Sequence, residues 1–226
     1  MKIAIFDVQA GEKKYFTKHL AGHELFFTRN KVDETTAPLA KDCQVLMVFI
    51  TSKLTSKVLA TMPKLKLIIT RSTGFDHIDL EYCERQGIMV TNVPSYGENT
   101  VAEHAFALIL TLSRNIHKSY LRTTREDYRV EGLKGFDLRG KTIGVVGAGK
   151  IGLHLIKMAR GFDMQVLTYD VNRNDFLADV LGFKYVSLEE LLRRSDIISL
   201  HVPENKFTHH LINRQNIGLI KKGALL

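Results

Sequence analysis

At 226 residues, 45% of them hydrophobic, the chain is long enough for one large or two modest domains with a sizeable core. No apolar run is long enough to span a bilayer as a helix. The formal net charge of +8 raises nucleic-acid binding, but the basic residues are scattered and only paired at Lys13-Lys14, Arg193-Arg194 and Lys221-Lys222, so a solvated surface around an anion site is the better reading and neither nucleic acid nor membrane is an expected partner.

Met1-Lys2-Ile3-Ala4-Ile5-Phe6-Asp7 is read as a first strand of the fold rather than a signal peptide. Strand-like runs recur at Lys2 to Phe6, Glu24 to Phe27, Val45 to Phe49, Leu67 to Thr70 and Ile88 to Thr91. Helical patterns fall between them, near Lys13–Leu20, Ser56–Thr61 and Ile78–Gln86. Strands alternating with helices predict a parallel sheet covered on both faces. Cys43 and Cys83 lie far apart without metal or redox spacing; they read as thiols of a cytoplasmic protein, and no metal site is expected.

The strand Leu67–Thr70 runs into Arg71-Ser72-Thr73-Gly74-Phe75-Asp76-His77-Ile78-Asp79. Gly74 permits a turn, and consecutive backbone N–H groups there can form a nest for a carboxylate. A serine/threonine turn before a helix can also be a plain cap.

Proline, glycine and asparagine cluster in Asn92-Val93-Pro94-Ser95-Tyr96-Gly97-Glu98-Asn99, which predicts a junction between a domain over 1–99 and one over 100–226. Thr100-Val101-Ala102-Glu103 has the capping-box pattern and is expected to start a long apolar helix through about Ile116. Arg125 to Gly140 is charged, glycine-containing and aperiodic, and reads as an extended arm or long loop. Ser187-Leu188-Glu189-Glu190 repeats the capping device, and Asp196-Ile197-Ile198-Ser199-Leu200 reads as a buried strand ending at His201.

The segment Gly147-Ala148-Gly149-Lys150-Ile151-Gly152 carries the most information. Thr142-Ile143-Gly144-Val145-Val146 before it reads as a buried parallel strand, and Leu153 to Phe162 after it has helical spacing. Gln165-Val166-Leu167-Thr168-Tyr169 reads as a second strand ending at Asp170. Strand, glycine turn, helix, strand and acid in this order make a dinucleotide-binding unit. Gly147 turns the chain, Gly149 lets backbone approach a pyrophosphate, and Gly152 lets the helix pack on the sheet. The helix N-terminus faces the phosphates. Asp170 is placed to accept from both hydroxyls of a ribose and to repel a 2′-phosphate, which favours NAD over NADP; Arg173 nearby softens that preference.

A carboxylate site on one unit and a dinucleotide site on the other suggest hydride transfer to or from a small acid. At this point the chain resembles the D-isomer-specific 2-hydroxyacid dehydrogenases along its whole length. The resemblance rests on Arg71 to Asp79, Asn92-Val93-Pro94, Thr100 to Glu103, the glycine motif with Asp170, Ser195-Asp196, and His201-Val202-Pro203 followed by Thr208. Tyr96 and Leu211-Ile212-Asn213 look most like the D-lactate dehydrogenase branch.

The resemblance implies an α/β protein of two doubly wound parallel-sheet units: a flavodoxin-like substrate domain and a Rossmann NAD-binding domain. It implies that backbone around Ser72, Thr73 and Gly74 holds the substrate carboxylate. Gly147, Gly149, Lys150, Ile151 and Gly152 would hold the pyrophosphate, and Asp170 the adenosine ribose. His201, Val202, Pro203 and Thr208 would line the cofactor site. The helix from Val101 and the arm after Arg125 look like the family's homodimer contact. The family's catalytic arginine, glutamate and histidine would lie beyond Leu226, so the chain is expected to be C-terminally truncated, without a catalytic residue of its own and with little turnover. His77, His104, His201, His209 and His210 carry no motif that would replace them. The alternative from another class is an NAD(H)-sensing interaction protein, because the C-terminal binding protein corepressors resemble the same fold.

Overall fold

Alternation of apolar side chains along short strands builds the first sheet. In the computed structural model, which describes residues 1–226, Ile3 and Ile5 of strand β1 (Lys2–Ile5) bury on one face while Ala4 buries on the other, with Phe6 just beyond it. Side chains alternate faces with period two, so both faces must be covered. Strands β2 (Glu24–Phe27), β3 (Val45–Val48), β4 (Leu67–Thr70) and β5 (Met89–Thr91) complete an all-parallel sheet of order β2-β1-β3-β4-β5. The register pairs Ile5 with Met47 and Val48 with Thr70. This is the flavodoxin-like order.

Helix α1 (Glu12–His19) contributes Phe16 to one face, against Ile3, Ile5, Val45 and Met47. Helices α2 (Ser56–Leu59) and α3 (Leu80–Arg85) cover the other with Val58, Leu59 and Cys83. Thr55 and Asp79 cap these two helices by accepting from Val58 N and Tyr82 N.

The chain divides into compact units at Met1–Tyr96 and Gly97–Leu226. In the second, strands β6 (Thr142–Val146), β7 (Gln165–Tyr169), β8 (Lys184–Tyr185) and β9 (Ile197–Leu200) form a parallel sheet of order β8-β7-β6-β9. That is the 3-2-1-4 part of a Rossmann sheet, the first half plus the strand at which the order reverses, between β6 and β9. Helices α4 (Glu98–Ser113) and α6 (Lys150–Gly161) pack Ala102, Phe106, Ile109, Leu155, Ile156 and Ala159 on Ile143, Val145 and Val166. Each fully buried Leu or Ile there contributes about 1.5–3 kcal/mol of hydrophobic free energy. On the opposite face, α8 (Leu188–Arg194) packs Leu191 and Leu192 on Val146 and Ile198. Helix α7 (Asp175–Leu181) links β7 to β8 and is capped by Asn174.

Two expectations about helix α4 are corrected. It begins at Glu98 with Gly97 at its N-cap and no side-chain cap, so Thr100 lies inside the first turn. The Thr100–Glu103 pattern is therefore not a capping box: Glu103 instead accepts from Asn99 Nδ2 at 3.3 Å, one turn back. The helix stops at Ser113, not Ile116, because Asn115 takes a left-handed conformation (φ 54°) and starts a separate helix, α5 (Ile116–Thr123). The other capping-box pattern is half realised: Ser187 caps helix α8, its Oγ accepting from Glu190 N at 3.2 Å. The Glu190 carboxylate does not reach back; it pairs with Arg194. From Arg125 to Gly140 the chain has neither helix nor strand, as read from its composition.

Candidate functional site

Strand β6 delivers the chain to Gly147 at the carboxyl edge of the sheet, where the strand order reverses. Gly147 has φ +98°, and a Cβ there would sit 2.5 Å from the His201 carbonyl oxygen. Both conformation and space therefore demand glycine. A Cβ on Gly152 would lie 2.0 Å from the Gly147 carbonyl oxygen, so this residue sets the close approach of α6 to the turn. Gly149 differs from both: its φ is −70° and nothing lies within 4 Å of where its Cβ would be. No internal packing requires glycine at Gly149, and the open space there fits a group outside the protein.

The amides bear this out. Gly147 N donates to Tyr169 O (2.8 Å) and Leu153 N to Gly149 O (2.9 Å), but the N–H groups of Gly149, Lys150, Ile151 and Gly152 between them find no acceptor in the protein. Four such donors at the positive end of a twelve-residue helix suit an anion. Lys150 adds a cation, its Nζ 3.3 Å from Glu98 Oε1.

Asp170 follows the last residue of β7. Its Oδ2 accepts from Ala148 N (2.6 Å) and its Oδ1 from Asn172 N (2.8 Å). The carboxylate is thus anchored beside the glycine turn, and a carboxylate has lone pairs left after two such bonds. Arg173 is drawn off to the face of Tyr185, 5.7 Å from the ring centroid. These residues fit an adenine dinucleotide, with amides for the diphosphate and an acid for the ribose diol.

His201 N donates to Val146 O (2.7 Å), which ties the far wall of the turn to β6. The imidazole Nε2 lies 2.8 Å from Ser199 Oγ, and burial pushes its pKa below the ordinary histidine value. Val202 stands against the turn, with its Cγ1 3.0 Å from where a Gly147 Cβ would be. Pro203 and Thr208 close a small loop: Thr208 Oγ1 donates to Pro203 O and accepts from Asn205 N (2.9 Å). Asn205 Oδ1 accepts from Phe207 N and Thr208 N. His209 pairs with Glu204 and stacks on His210, and no group of His, Cys, Asp and Glu is clustered to hold a metal ion.

In the first unit, Arg71 begins the turn after β4. Its Nη1 lies 2.8 Å from both Glu12 carboxylate oxygens, and its Nη2 donates to Phe6 O (2.8 Å) and Asp7 O (2.9 Å). Burial alone would raise the Glu12 pKa, but the Gln9 amide and Arg71 outweigh it and hold the carboxyl below its ordinary value. The next three carbonyls are all taken. Ser72 O accepts from Val93 N (3.0 Å), Thr73 O from Asn92 Nδ2 (2.8 Å), and Gly74 O from Ser72 Oγ (2.7 Å). In a trans peptide the N–H points opposite the C=O. The N–H groups of Thr73, Gly74 and Phe75 therefore point away from those anchors, and they have no acceptor in the protein. Such a row of donors is a nest for a carboxylate.

Ser72 is buried, whereas Thr73 and Gly74 are exposed. The anchors Asn92 and Val93 come from the segment read in the sequence as a domain junction and a family motif, without a role at this turn. Gly144 was also missed. A Cβ there would lie 2.3 Å from Ser195 Oγ and 2.4 Å from Leu191 Cδ2, so glycine on β6 lets α8 reach the sheet.

The family model for the D-isomer specific 2-hydroxyacid dehydrogenase NAD-binding domain matches residues 106–226. A 2-hydroxyacid dehydrogenase homolog of Haemophilus influenzae is 36% identical over all of this chain and 69% of its own length. The D-lactate dehydrogenase of Escherichia coli is 36% identical over all of this chain and 70% of its own. The apo structure of that Escherichia coli enzyme superposes with a TM-score of 0.83, covering 72% of its chain. The Aquifex aeolicus D-lactate dehydrogenase, complexed with NAD and lactic acid, is 39% identical with a TM-score of 0.90 over 97% of this chain and 66% of that one. The chain thus spans about two thirds of these relatives, and it belongs to the D-isomer specific 2-hydroxyacid dehydrogenase family, on its D-lactate dehydrogenase-like side.

Proposed function

We propose that this chain supplies the NAD and substrate-carboxylate sites of an NAD-dependent oxidoreductase that interconverts a D-2-hydroxyacid with its 2-oxoacid, D-lactate and pyruvate being the favoured pair. The observation that carries the reading is the glycine turn: four acceptor-free amides, an open face at Gly149 and the anchored carboxylate of Asp170. Bound NAD would accept the C2 hydride of the hydroxyacid, the hydroxyl proton leaving to a base.

The chain's residues bind and orient. Amides of Gly149, Lys150, Ile151 and Gly152 hold the pyrophosphate, with Gly147 shaping the turn. Asp170 accepts from the ribose hydroxyls and disfavours a 2′-phosphate. His201, Val202, Pro203 and Thr208 line the cofactor site. The turn at Ser72, Thr73 and Gly74 holds the substrate carboxylate through backbone N–H groups. No histidine here is assigned proton transfer: His201 is engaged by Ser199 and His77 by Thr70. Binding without appreciable turnover is the behaviour expected of the 226-residue chain.

Calorimetric titration with NADH and NADPH tests this. The chain should bind NADH more tightly than NADPH. Asp170→Ala should weaken NADH by about tenfold or more, as for a hydrogen bond to a charged group. Gly149→Val should abolish binding while costing no more stability than the exchange of a helix N-cap residue, since its side chain would enter the open space. NADH binding by Gly149→Val as tight as by the native chain would overturn the assignment.

The same reading includes a homodimer through the second unit. Helices α4 and α5 leave Val101, Leu108, Leu112, Ile116, Tyr120 and Leu121 exposed, and the following arm adds Tyr128 and Val130, each 75% exposed. A face of this kind suits a second copy of the chain. Sedimentation velocity should give a dimer that Leu108→Asp with Leu112→Asp dissociates; a native monomer at tens of micromolar would refute it.

A further inference from the structure

The turn that presents the carboxylate-binding amides is held from beneath by a chain of hydrogen bonds whose direction can be worked out. Ser72 Oγ lies 2.7 Å from Gly74 O, and a carbonyl only accepts, so the single Ser72 hydroxyl proton is committed there. Thr70 Oγ1 lies 2.6 Å from Ser72 Oγ. With the serine proton already used, Thr70 must be the donor. His77 Nε2 lies 3.2 Å from Thr70 Oγ1, whose own proton is now committed, so the imidazole must donate from Nε2–H. The relay therefore runs His77 Nε2–H to Thr70, Thr70 to Ser72, and Ser72 to the Gly74 carbonyl.

We propose that His77 is a positioning residue for the substrate carboxylate, acting through Thr70 and Ser72 to fix the peptide that presents the Phe75 amide. This rests on the carboxylate reading of the turn given above. Three surroundings fit the role. Thr70 and Ser72 are 0% and 2% exposed, so water cannot replace their bonds. His77 Nδ1 is buried and has no partner, as expected of a bare ring nitrogen in the Nε2–H tautomer. Burial lowers the His77 pKa against the opposing pull of Asp76 and Asp7, which keeps the ring neutral at neutral pH. Directed chains of this kind polarise one another, and losing one member leaves a buried group unpaired.

The test is nuclear magnetic resonance on the isotope-labelled 226-residue chain with NADH present and oxamate, an unreactive pyruvate isostere, as the probe. Oxamate should shift the Thr73, Gly74 and Phe75 amides. Thr70→Val keeps the shape and removes the hydroxyl; it and His77→Phe should each weaken oxamate by about threefold to tenfold, the equivalent of one net hydrogen bond. NADH affinity should not change. Thr70→Ser and His77→Gln, which keep a donor, should bind oxamate like the native chain. Independently of any variant, the long-range proton–nitrogen spectrum of the native chain should show His77 protonated at Nε2. Native affinity for oxamate in Thr70→Val, or a ring protonated at Nδ1, overturns the relay while leaving the carboxylate site standing. Absence of the amide shifts in the native chain removes the carboxylate site, and the relay with it.

Discussion

The three glycines of the dinucleotide turn look equivalent as letters and are not equivalent as atoms. Gly147 and Gly152 are required by the protein itself, because a methyl group at either would collide with carbonyl oxygens at 2.5 Å and 2.0 Å. Gly149 is free of internal contacts and is explained only by something bound there. Gly152→Ala should therefore lower stability by about 1–3 kcal/mol, the cost of overpacking a tight site, with NADH affinity falling as a consequence. Gly149→Val should do the reverse. Urea unfolding of both variants separates the two roles, and a Gly152→Ala variant as stable as the native chain would contradict the close packing. The motif and its acid were legible because their spacing is fixed by one local βαβ unit. Thr70, His77 and Asn92 were not legible as partners of one turn, because that depends on how the loop closes back on itself.

At the scale of single elements, the two capping-box patterns had opposite outcomes. Ser187 takes extended backbone (ψ 157°) and bonds Glu190 N, whereas Thr100 already sits in helical backbone two residues after Glu98. A hydroxyl inside the first turn cannot cap. Ser187→Ala should cost about 1 kcal/mol, and Thr100→Ala a few tenths at most. Thermal melts of the two variants test this; equal losses would mean that the cap at Ser187 has no energetic weight. Eight of the nine strands were readable to within a residue because apolar runs bounded by polar residues leave little choice; the two-residue β8 (Lys184–Tyr185) was too short to show a pattern. The split of one long helix into α4 and α5 was not, because it depends on a left-handed Asn115. There, Phe136 N bonds Ser113 O, and a Cβ on Gly135 would lie 1.9 Å from that same oxygen. The returning arm thus docks on the end of α4 through a glycine that the sequence placed only in an extended arm or long loop.

Across the whole molecule, acid should act on both units, and the sign follows from the histidines. His77 and His201 both have pKa values pushed by burial below the ordinary 6.5, so the unfolded chain binds more protons than the folded one once the pH drops to that region. Stability should be complete above about pH 6.5 and fall as the pH passes through 6.5 toward the folded values. A second loss should follow below the ordinary glutamate value of 4.5, where Glu12, held low by Gln9 and Arg71 against its burial, becomes protonated. Urea midpoints measured between pH 8 and 4 give the profile. A midpoint that rises on acidification from pH 7 to 6 would contradict it. Conversely, burial pushes the Cys43 thiol up to about 11, in keeping with a packed core side chain rather than a reactive one.

Period-two alternation, glycine spacing and an acid at the end of a strand are local consequences of chain geometry, and from them alone followed two parallel α/β units, a dinucleotide turn and a candidate carboxylate turn. Folding decided which strands become neighbours, which glycines are demanded by packing, and which carbonyls are tied down so that their amides face outward. Those properties arise from residues far apart in the chain, such as Ser72 with Val93 or Gly144 with Ser195. No local pattern of side chains encodes the directions in which such backbone groups finally point.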